Sequence, residues 1–364
     1  VSSISEPSTV IARTLHRRLP ERLRSDGLLF LWLREGRSTT RIVRALRSGG
    51  WRYELVESCA RVELRADQIQ ECIASLCSAL PEAEQTETKA LFVEKPCVEP
   101  RLADFSRMTT LHSLDVMARS GWLLDQLAEG RFTSFFHPIV HARDRRDVFA
   151  HEALLRGVER DGSLVAPQPI LDLARQAGML LEVDFAACQS AIREAARHGP
   201  KMSLFINFSP AAIKDPEANL GAMIAAIDGA GISHERVIFE VVEADRFGDL
   251  PLLEKVLRGY RNAGFRVALD DLGAGWSTLN LVHRLRPDFI KLDRELIRGV
   301  HLDPVKGLIA GKLLEIGRGL GVGTIVEGIE DEGEMRWACD NGADFVQGFL
   351  VGRPSPFPLP PGRS

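Results

Sequence analysis

No two of the six cysteines (Cys59, Cys72, Cys77, Cys97, Cys188, Cys339) form a C-x-x-C pair. That excludes the usual zinc-ribbon spacing and favours reduced thiols over a disulfide framework. No apolar run is long enough to span a bilayer, and no basic-then-apolar leader opens the sequence, so the chain is expected in the cytoplasm without a membrane segment. Positive charge is in short supply: 46 Lys and Arg against 50 Asp and Glu leave a formal net charge of −4. A DNA or RNA polymer, which needs a basic face, is therefore not an expected partner. A small anionic ligand stays compatible, because bound metals reverse the field locally. The nine histidines show no metal-ligand spacing, and His151-Glu152 does not begin a zinc-protease motif, since position 155 is Leu155. Gly319, Gly321 and Gly323 imitate a phosphate-cradling loop, but a helix precedes them and a strand follows, the order of a helix C-cap and αβ turn.

What remains is a 364-residue chain, 45% apolar and 26% charged, enough for two domains or for one large barrel with an added module. Residues 8–24 show apolar positions at helical spacing among arginines. Strand patterns at Leu28–Leu33, Trp51–Val56, Arg61–Arg65 and Ala90–Val93 alternate with helix patterns at Thr39–Arg47 and Asp67–Leu80, with Asp67 as the expected cap. The order βαββαβ predicts a small α+β module of ferredoxin-like type over residues 1–98, with a degenerate receiver-like fold as the rival. Pro96 and Pro100 mark a linker. Leu111–Glu129 reads as a connecting helix, the alternative being a helix packed on the barrel, so 99–130 joins the two regions. The cluster Arg143, Arg145 and Arg146 reads as a solvated hairpin turn.

From Phe132 onward, strand and helix patterns alternate. Helical stretches fall at Ala166–Ala177, Phe185–His198, Ala222–Ala230, Leu250–Ala263, Ser277–Leu285, Val305–Gly319 and Glu332–Asn341. Seven such crossovers predict an α/β fold, a (β/α) TIM-like barrel over 131–358 with a short tail at 359–364; an open doubly wound sheet is the weaker alternative. Seven apolar runs end on an acidic, amide or lysine side chain. These are Glu152, Asn207, Glu240, the pair Asp270-Asp271, Lys291, Glu327 and Gln347. A carboxylate at the end of a buried strand is costly unless a cation meets it. Five carboxylates and an asparagine so placed point to hard divalent cations at the mouth of a parallel barrel.

These segments carry a specific resemblance. From about Gly121 to Pro356 the chain resembles the EAL domain family, phosphodiesterases of the bacterial second messenger cyclic di-GMP. The resemblance rests on Glu152-Ala153-Leu154, on Ile206-Asn207-Phe208-Ser209-Pro210 and on Glu240 with Glu243. It continues through Asp270-Asp271-Leu272-Gly273-Ala274-Gly275, Lys291-Leu292-Asp293, Glu327-Gly328-Ile329-Glu330 and Gln347-Gly348-Phe349. It implies a cytoplasmic bacterial enzyme that hydrolyses cyclic di-GMP to linear pGpG with two divalent cations, Mg²⁺ or Mn²⁺, and that works as a homodimer. Glu152, Asn207, Glu240 and Asp270 would hold the first metal, and Asp270, Asp271 and Glu327 the second. Lys291 would accept a proton from the attacking water or orient it, its pKa lowered by metal charge and burial. Gln347 would contact a metal-bound water. Arg156 would reach a substrate phosphate, Leu154 and Pro210 would line the guanine cleft, and Asp293 and His137 would join them in binding substrate. Glu243, with Gly273 and Gly275, would anchor a loop coupling the metal site to the dimer interface.

Three positions depart from the family pattern. His137 replaces a glutamine before Pro138-Ile139-Val140, Leu272 a phenylalanine and Trp276 a tyrosine. The first bears on nucleotide contact, the other two on loop dynamics. There is no GGDEF motif for messenger synthesis. Two further readings compete: a catalytically silent cyclic di-GMP receptor, and a barrel metalloenzyme in which Lys291 abstracts a carbon-bound proton. The second leaves the amides at Asn207 and Gln347 unexplained.

Overall fold

A computed structural model describes residues 23, 25–33, 36–95, 99–199, 202–209, 216–242, 249–272 and 278–360. They fall into two compact units. One comprises Val1–Glu129 with Pro169–Met179, the other Gly130–Gln168 with Leu180–Ser364.

In the first unit β1 (Gly27–Trp32), β2 (Arg52–Val56), β3 (Cys59–Leu64), β4 (Lys89–Glu94) and the short β5 (Thr109–Thr110) form one sheet in the order β2-β3-β1-β4-β5. Every neighbouring pair is antiparallel. With helices Arg37–Ser48 and Ile69–Ser78 between strands, this is the interleaved βαββαβ arrangement of ferredoxin-like modules. A receiver-like fold would need a parallel sheet. Leu29 and Leu31, on one face of β1, pack with Ile42 and Leu46 of the first helix and Ile73 and Leu76 of the second. Leu111 and Leu114 of the helix Leu111–Glu129 enter the same cluster, so that helix belongs to this module's core. Asp67 does not cap. It lies in a 3-10 turn, Ala66–Gln68, paired with Arg65 at 3.0 Å, and the α-helix begins only at Ile69. The helix expected over residues 8–24 lies almost wholly outside the described residues.

The second unit begins with a long hairpin, β6 (Phe132–His141) and β7 (Asp144–Val158). Then come β8 (Leu164–Val165), β9 (Leu204–Phe208), β10 (Val237–Val241), β11 (Arg266–Leu272), β12 (Phe289–Leu292), β13 (Gly323–Val326) and β14 (Phe345–Gln347). The ring runs β6-β14-β13-β12-β11-β10-β9-β7, and the β6–β7 pairing closes it. Eight strands thus make the expected TIM-like barrel, and the open sheet is excluded. One strand breaks the parallel pattern, β6 being antiparallel to both β14 and β7. Arg143, Arg145 and Arg146 are all exposed at this hairpin turn, as expected, and Arg145 pairs on the surface with Glu332 at 2.8 and 3.1 Å. Helices Leu180–His198, Pro216–Gly229, Leu250–Asn262, Thr278–Leu285, Pro304–Leu320 and Glu332–Asp340 fall between the parallel strands. The second of these starts six residues before the expected Ala222, with proline as its first residue, where a missing N–H costs nothing. The expected helix at Ala166–Ala177 forms as Pro167–Ala177 but from Pro169 belongs to the first unit. Gly321 ends Pro304–Leu320 in the left-handed conformation, φ 70°, as a helix cap rather than a phosphate loop.

Side chains alternate along each strand. Ile206, Phe239, Leu269, Ile290, Val326 and Val346 are buried against the surrounding helices. Their neighbours Ile139, Ala150, Phe205, Ile238, Ala268, Phe289, Ile325 and Phe345 make a separate apolar cluster. All eight ring strands contribute one residue each, so this cluster is the layer that fills the barrel's interior. Phe149 stacks on Phe345 at 4.0 Å and closes that layer.

Candidate active site

The polar residues sit one step of the strand period beyond this plug. Glu152 follows Ala150 by two, Asn207 follows Phe205, Glu240 follows Ile238, and Asp270 follows Ala268. Lys291, Glu327 and Gln347 follow Phe289, Ile325 and Phe345 in the same way. Because side chains two apart share a face, all seven turn into the barrel above the plug, at the carboxyl ends of the parallel strands. Close packing below and the neighbouring strands on each side leave them little freedom.

Lys291 is the hub. Only 1% exposed, its Nζ lies 2.5 Å from Glu240 Oε1, 2.5 Å from Glu327 Oε1, 3.5 Å from Glu152 Oε2 and 3.9 Å from Asp270 Oδ1. Glu240, Asp270 and Glu327 each bring one carboxylate oxygen within 4.8 Å of the other two. Glu152 is held on two sides: Asn207 Nδ2 donates to Oε1 at 3.2 Å and Gln347 Nε2 to Oε2 at 2.7 Å. The second hydrogen of Gln347 Nε2 points at His137 Nδ1, 2.8 Å away. Gly348 fixes the turn that follows. With φ 158° it lies so close to the next chain that a Cβ would come 2.2 Å from Ile329 O, while Ile329 N donates to Gln347 O.

The protonation energetics follow from one ammonium among four carboxylates. Burial pushes Glu240 well above the usual carboxylate range, and Asp270, Glu152 and Glu327 add to it against the pull of Lys291. Glu327 rises to about 8, again through burial and its acidic neighbours. For Glu152 burial also pushes upward, but the Lys291 charge and the amide bonds outweigh it and hold the carboxyl below its usual value. Burial disfavours the Lys291 charge, yet the carboxylates prevail and raise its pKa well above that of free lysine. From the protein's own groups the lysine therefore shifts upward, opposite to the expected direction, which depended on metal charge beside it.

Other expected residues stand apart from this cluster. Asp271 is exposed and left-handed at φ 57°, at a register shift between Leu269 and Leu272 in the pairing of β11 with β12. Asp293 caps the short helix Arg294–Ile297, accepting from Glu295 N at 2.8 Å, a role that its place one residue before a helix could have signalled. Leu154 and Arg156 share the inward face of β7 with Glu152 by period, both half-buried. The Arg156 guanidinium lies 4.9 Å from the Phe135 ring centroid and bonds Leu155 O at 2.7 Å. Pro210, Glu243, Gly273 and Gly275 lie outside the described residues. Sequence inspection gave no role to Phe349 beyond its motif; its ring lies 6.2 Å from that of His137 and carries the Arg353 guanidinium 4.3 Å from its centroid.

Fold and site together define an α/β barrel with an acidic, amide-bearing, oxygen-rich mouth. The chain belongs to the EAL domain family, whose model matches residues 120–354. Among curated relatives, cyclic di-GMP phosphodiesterase PdeR of Escherichia coli (strain K12) is 25% identical over 215 residues, 58% of this chain and 32% of that protein. Probable cyclic di-GMP phosphodiesterase PdeG of the same organism is 25% identical over 229 residues, 62% of this chain and 45% of its own. The chain thus spans less than half the length of such relatives. A standalone EAL protein of Vibrio cholerae O395, solved with c-di-GMP bound, is 30% identical with a TM-score of 0.56, over 62% of this chain and 94% of that one. Among the described residues no helix is long and apolar enough to cross a membrane.

Proposed function

We propose that this protein hydrolyses one phosphodiester bond of cyclic di-GMP to give pGpG, within a barrel domain over residues 131–358. The observation that carries the proposal is the convergence of Glu152, Glu240, Asp270 and Glu327 around Lys291, with Asn207 and Gln347 in the same layer. Two divalent cations, Mg²⁺ or Mn²⁺, fit this donor set. All the donors are oxygens, one ammonium cannot balance four carboxylates, and Glu240 Oε2 and Asp270 Oδ1 are buried without a hydrogen-bond partner. Glu152, Asn207, Glu240 and Asp270 would hold one ion, and Asp270, Asp271 and Glu327 the other. Such a pair lowers the pKa of water and neutralises charge on the phosphoryl oxygens. Lys291 would orient the attacking water, and would take up its proton only with the charge of bound ions lowering the pKa that the carboxylates raise, while the Lys291 charge and the amide partners keep Glu152 ionised. Arg156 reaches a phosphate, while Leu154, Pro210, Asp293 and His137 border the nucleotide. Glu243, Gly273 and Gly275 would couple the site to a dimer interface.

A homodimer is part of this proposal. Val305, Leu308, Ile309, Ile316 and Leu320 are exposed along one face of the helix Pro304–Leu320, with Leu302 just ahead of it, a stripe suited to a second copy of itself. The module over residues 1–98 would regulate the barrel. One observation favours a second reading, a silent cyclic di-GMP receptor: Asp271 is exposed and outside the carboxylate cluster.

Incubation of purified protein with Mg²⁺ and cyclic di-GMP, followed by nucleotide chromatography, decides between the two. The expected outcome is pGpG from the wild type and none from Glu152→Ala. Wild-type protein that binds the dinucleotide but leaves it intact selects the receptor, and full activity in the variant overturns the ligand assignment.

A further inference from the structure

We infer that His137 is a positioning residue that locks the Gln347 carboxamide, so that its nitrogen serves Glu152 and its oxygen stays free as an acceptor. The inference rests on the proposed activity for its catalytic consequence, but its geometry stands without it. Gln347 Nε2 donates to Glu152 Oε2 at 2.7 Å, so the amide presents its nitrogen to the carboxylate. The amide's other hydrogen then meets His137 Nδ1 at 2.8 Å, which assigns that nitrogen as the acceptor and the ring proton to Nε2, an atom that is buried without a hydrogen-bond partner of its own. With both hydrogens taken, rotation of the amide would set its oxygen against a carboxylate and a ring lone pair.

The consequence appears on the other side of the amide. Gln347 Oε1 is buried and has no hydrogen-bond partner. A buried acceptor left unpaired is costly, so the site reserves it for a donor that arrives with the reacting molecules, a water or a ligand O–H or N–H. A glutamine at position 137, the usual family residue, can donate as readily as it accepts and would fix the Gln347 amide less firmly. His137 also spans the site's rim, since its ring approaches that of Phe349. Its partner Gln347 is 210 positions away in the chain, and no local motif joins them.

Two substitutions separate positioning from packing. His137→Leu keeps bulk but removes the acceptor, and His137→Asn restores an acceptor near the place of Nδ1. Orienting partners beyond the ligands themselves change metal affinity by about 10–100-fold, so His137→Leu is expected to weaken Mn²⁺ binding, read by calorimetry, by roughly tenfold. It should lower kcat by a similar factor, while His137→Asn recovers most of both. Wild-type Mn²⁺ affinity and kcat in His137→Leu, or an asparagine variant no better than leucine, overturns the inference. If wild-type protein proves to bind but not to hydrolyse cyclic di-GMP, the proposed activity fails, yet the Mn²⁺ titrations of the three proteins still decide the role of His137.

Discussion

Two layers of the same barrel, one strand period apart, have opposite chemistry. The lower is a dry plug of phenylalanine, isoleucine and alanine, and the upper gathers four carboxylates, two amides and a lysine. The backbone is common to both, so only side-chain identity distinguishes a layer that stabilises from one that opposes folding. Burying Phe205 or Ile238 contributes roughly 1.5–3 kcal/mol each. Burying Glu240, which is 0% exposed, costs several kcal/mol before any partner compensates. The lower layer thus provides the rigidity and stability on which the upper one depends, a division expected where a strained site is built on a packed scaffold.

Removal of Lys291 tests this contrast most severely. Lys291→Met leaves the carboxylates without their ammonium. It is expected to lose about 3–5 kcal/mol in urea denaturation with chelator present, to regain much of that with Mn²⁺, and to lose hydrolysis. Stability unchanged by the substitution in chelator would show that the carboxylates do not repel one another as inferred. The matching change below is Phe205→Ala. Its cavity should cost a similar or slightly smaller amount, roughly 3–5 kcal/mol, without relief by Mn²⁺ and with hydrolysis per folded molecule altered only a few-fold. Should its activity fall as steeply as that of the lysine variant, the two layers are not separable.

The smallest expected effect lies at the barrel's outside. His234 donates to Ala263 O at 2.6 Å and to Asp228 Oδ1 at 2.8 Å. Both partners are acceptors, so the ring is favoured as the cation, and the Ala263 bond chiefly raises its pKa, with Asp228 adding to it. A raised folded-state value means that this stabilisation is complete below the ordinary histidine pKa and is lost as pH rises through the folded one. The change should stay under about 1 kcal/mol because the group is partly exposed. It should vanish in His234→Gln when denaturation midpoints at pH 5.5 and pH 8.5 are compared.

Much of this contrast is legible before any coordinates. Runs such as Phe205-Ile206-Asn207 and Phe345-Val346-Gln347 carry plug, outer face and site in three consecutive letters, because strand side chains strictly alternate. The βαββαβ order of the first unit is equally local. Residues whose roles depend on tertiary pairing escape such inspection. Asp271 follows Asp270 and looks like its twin, but it is exposed and left-handed where the pairing with β12 shifts register. Asp293 resembles part of a ligand triplet and is engaged at a helix start. The centrality of Lys291 is invisible in its neighbours, because its four partners come from three other strands and, for Glu327, the residue just past a fourth. The antiparallel pairing of β6 with β7 is implicit in the hairpin turn read at Arg143, Arg145 and Arg146, but its antiparallel pairing with β14 joins residues too far apart in sequence to be inferred.

The ring is sealed by its first and last members, with β6 lying between β7 and β14. On a ribosome, therefore, most of the barrel emerges before Phe345–Gln347 can dock, and until then β6 and β13 each expose an unpaired edge to neighbouring nascent chains. Contacts that span some two hundred residues are slow to form. Docking of β14 thus completes the pocket and covers the edges of β6 and β13 together.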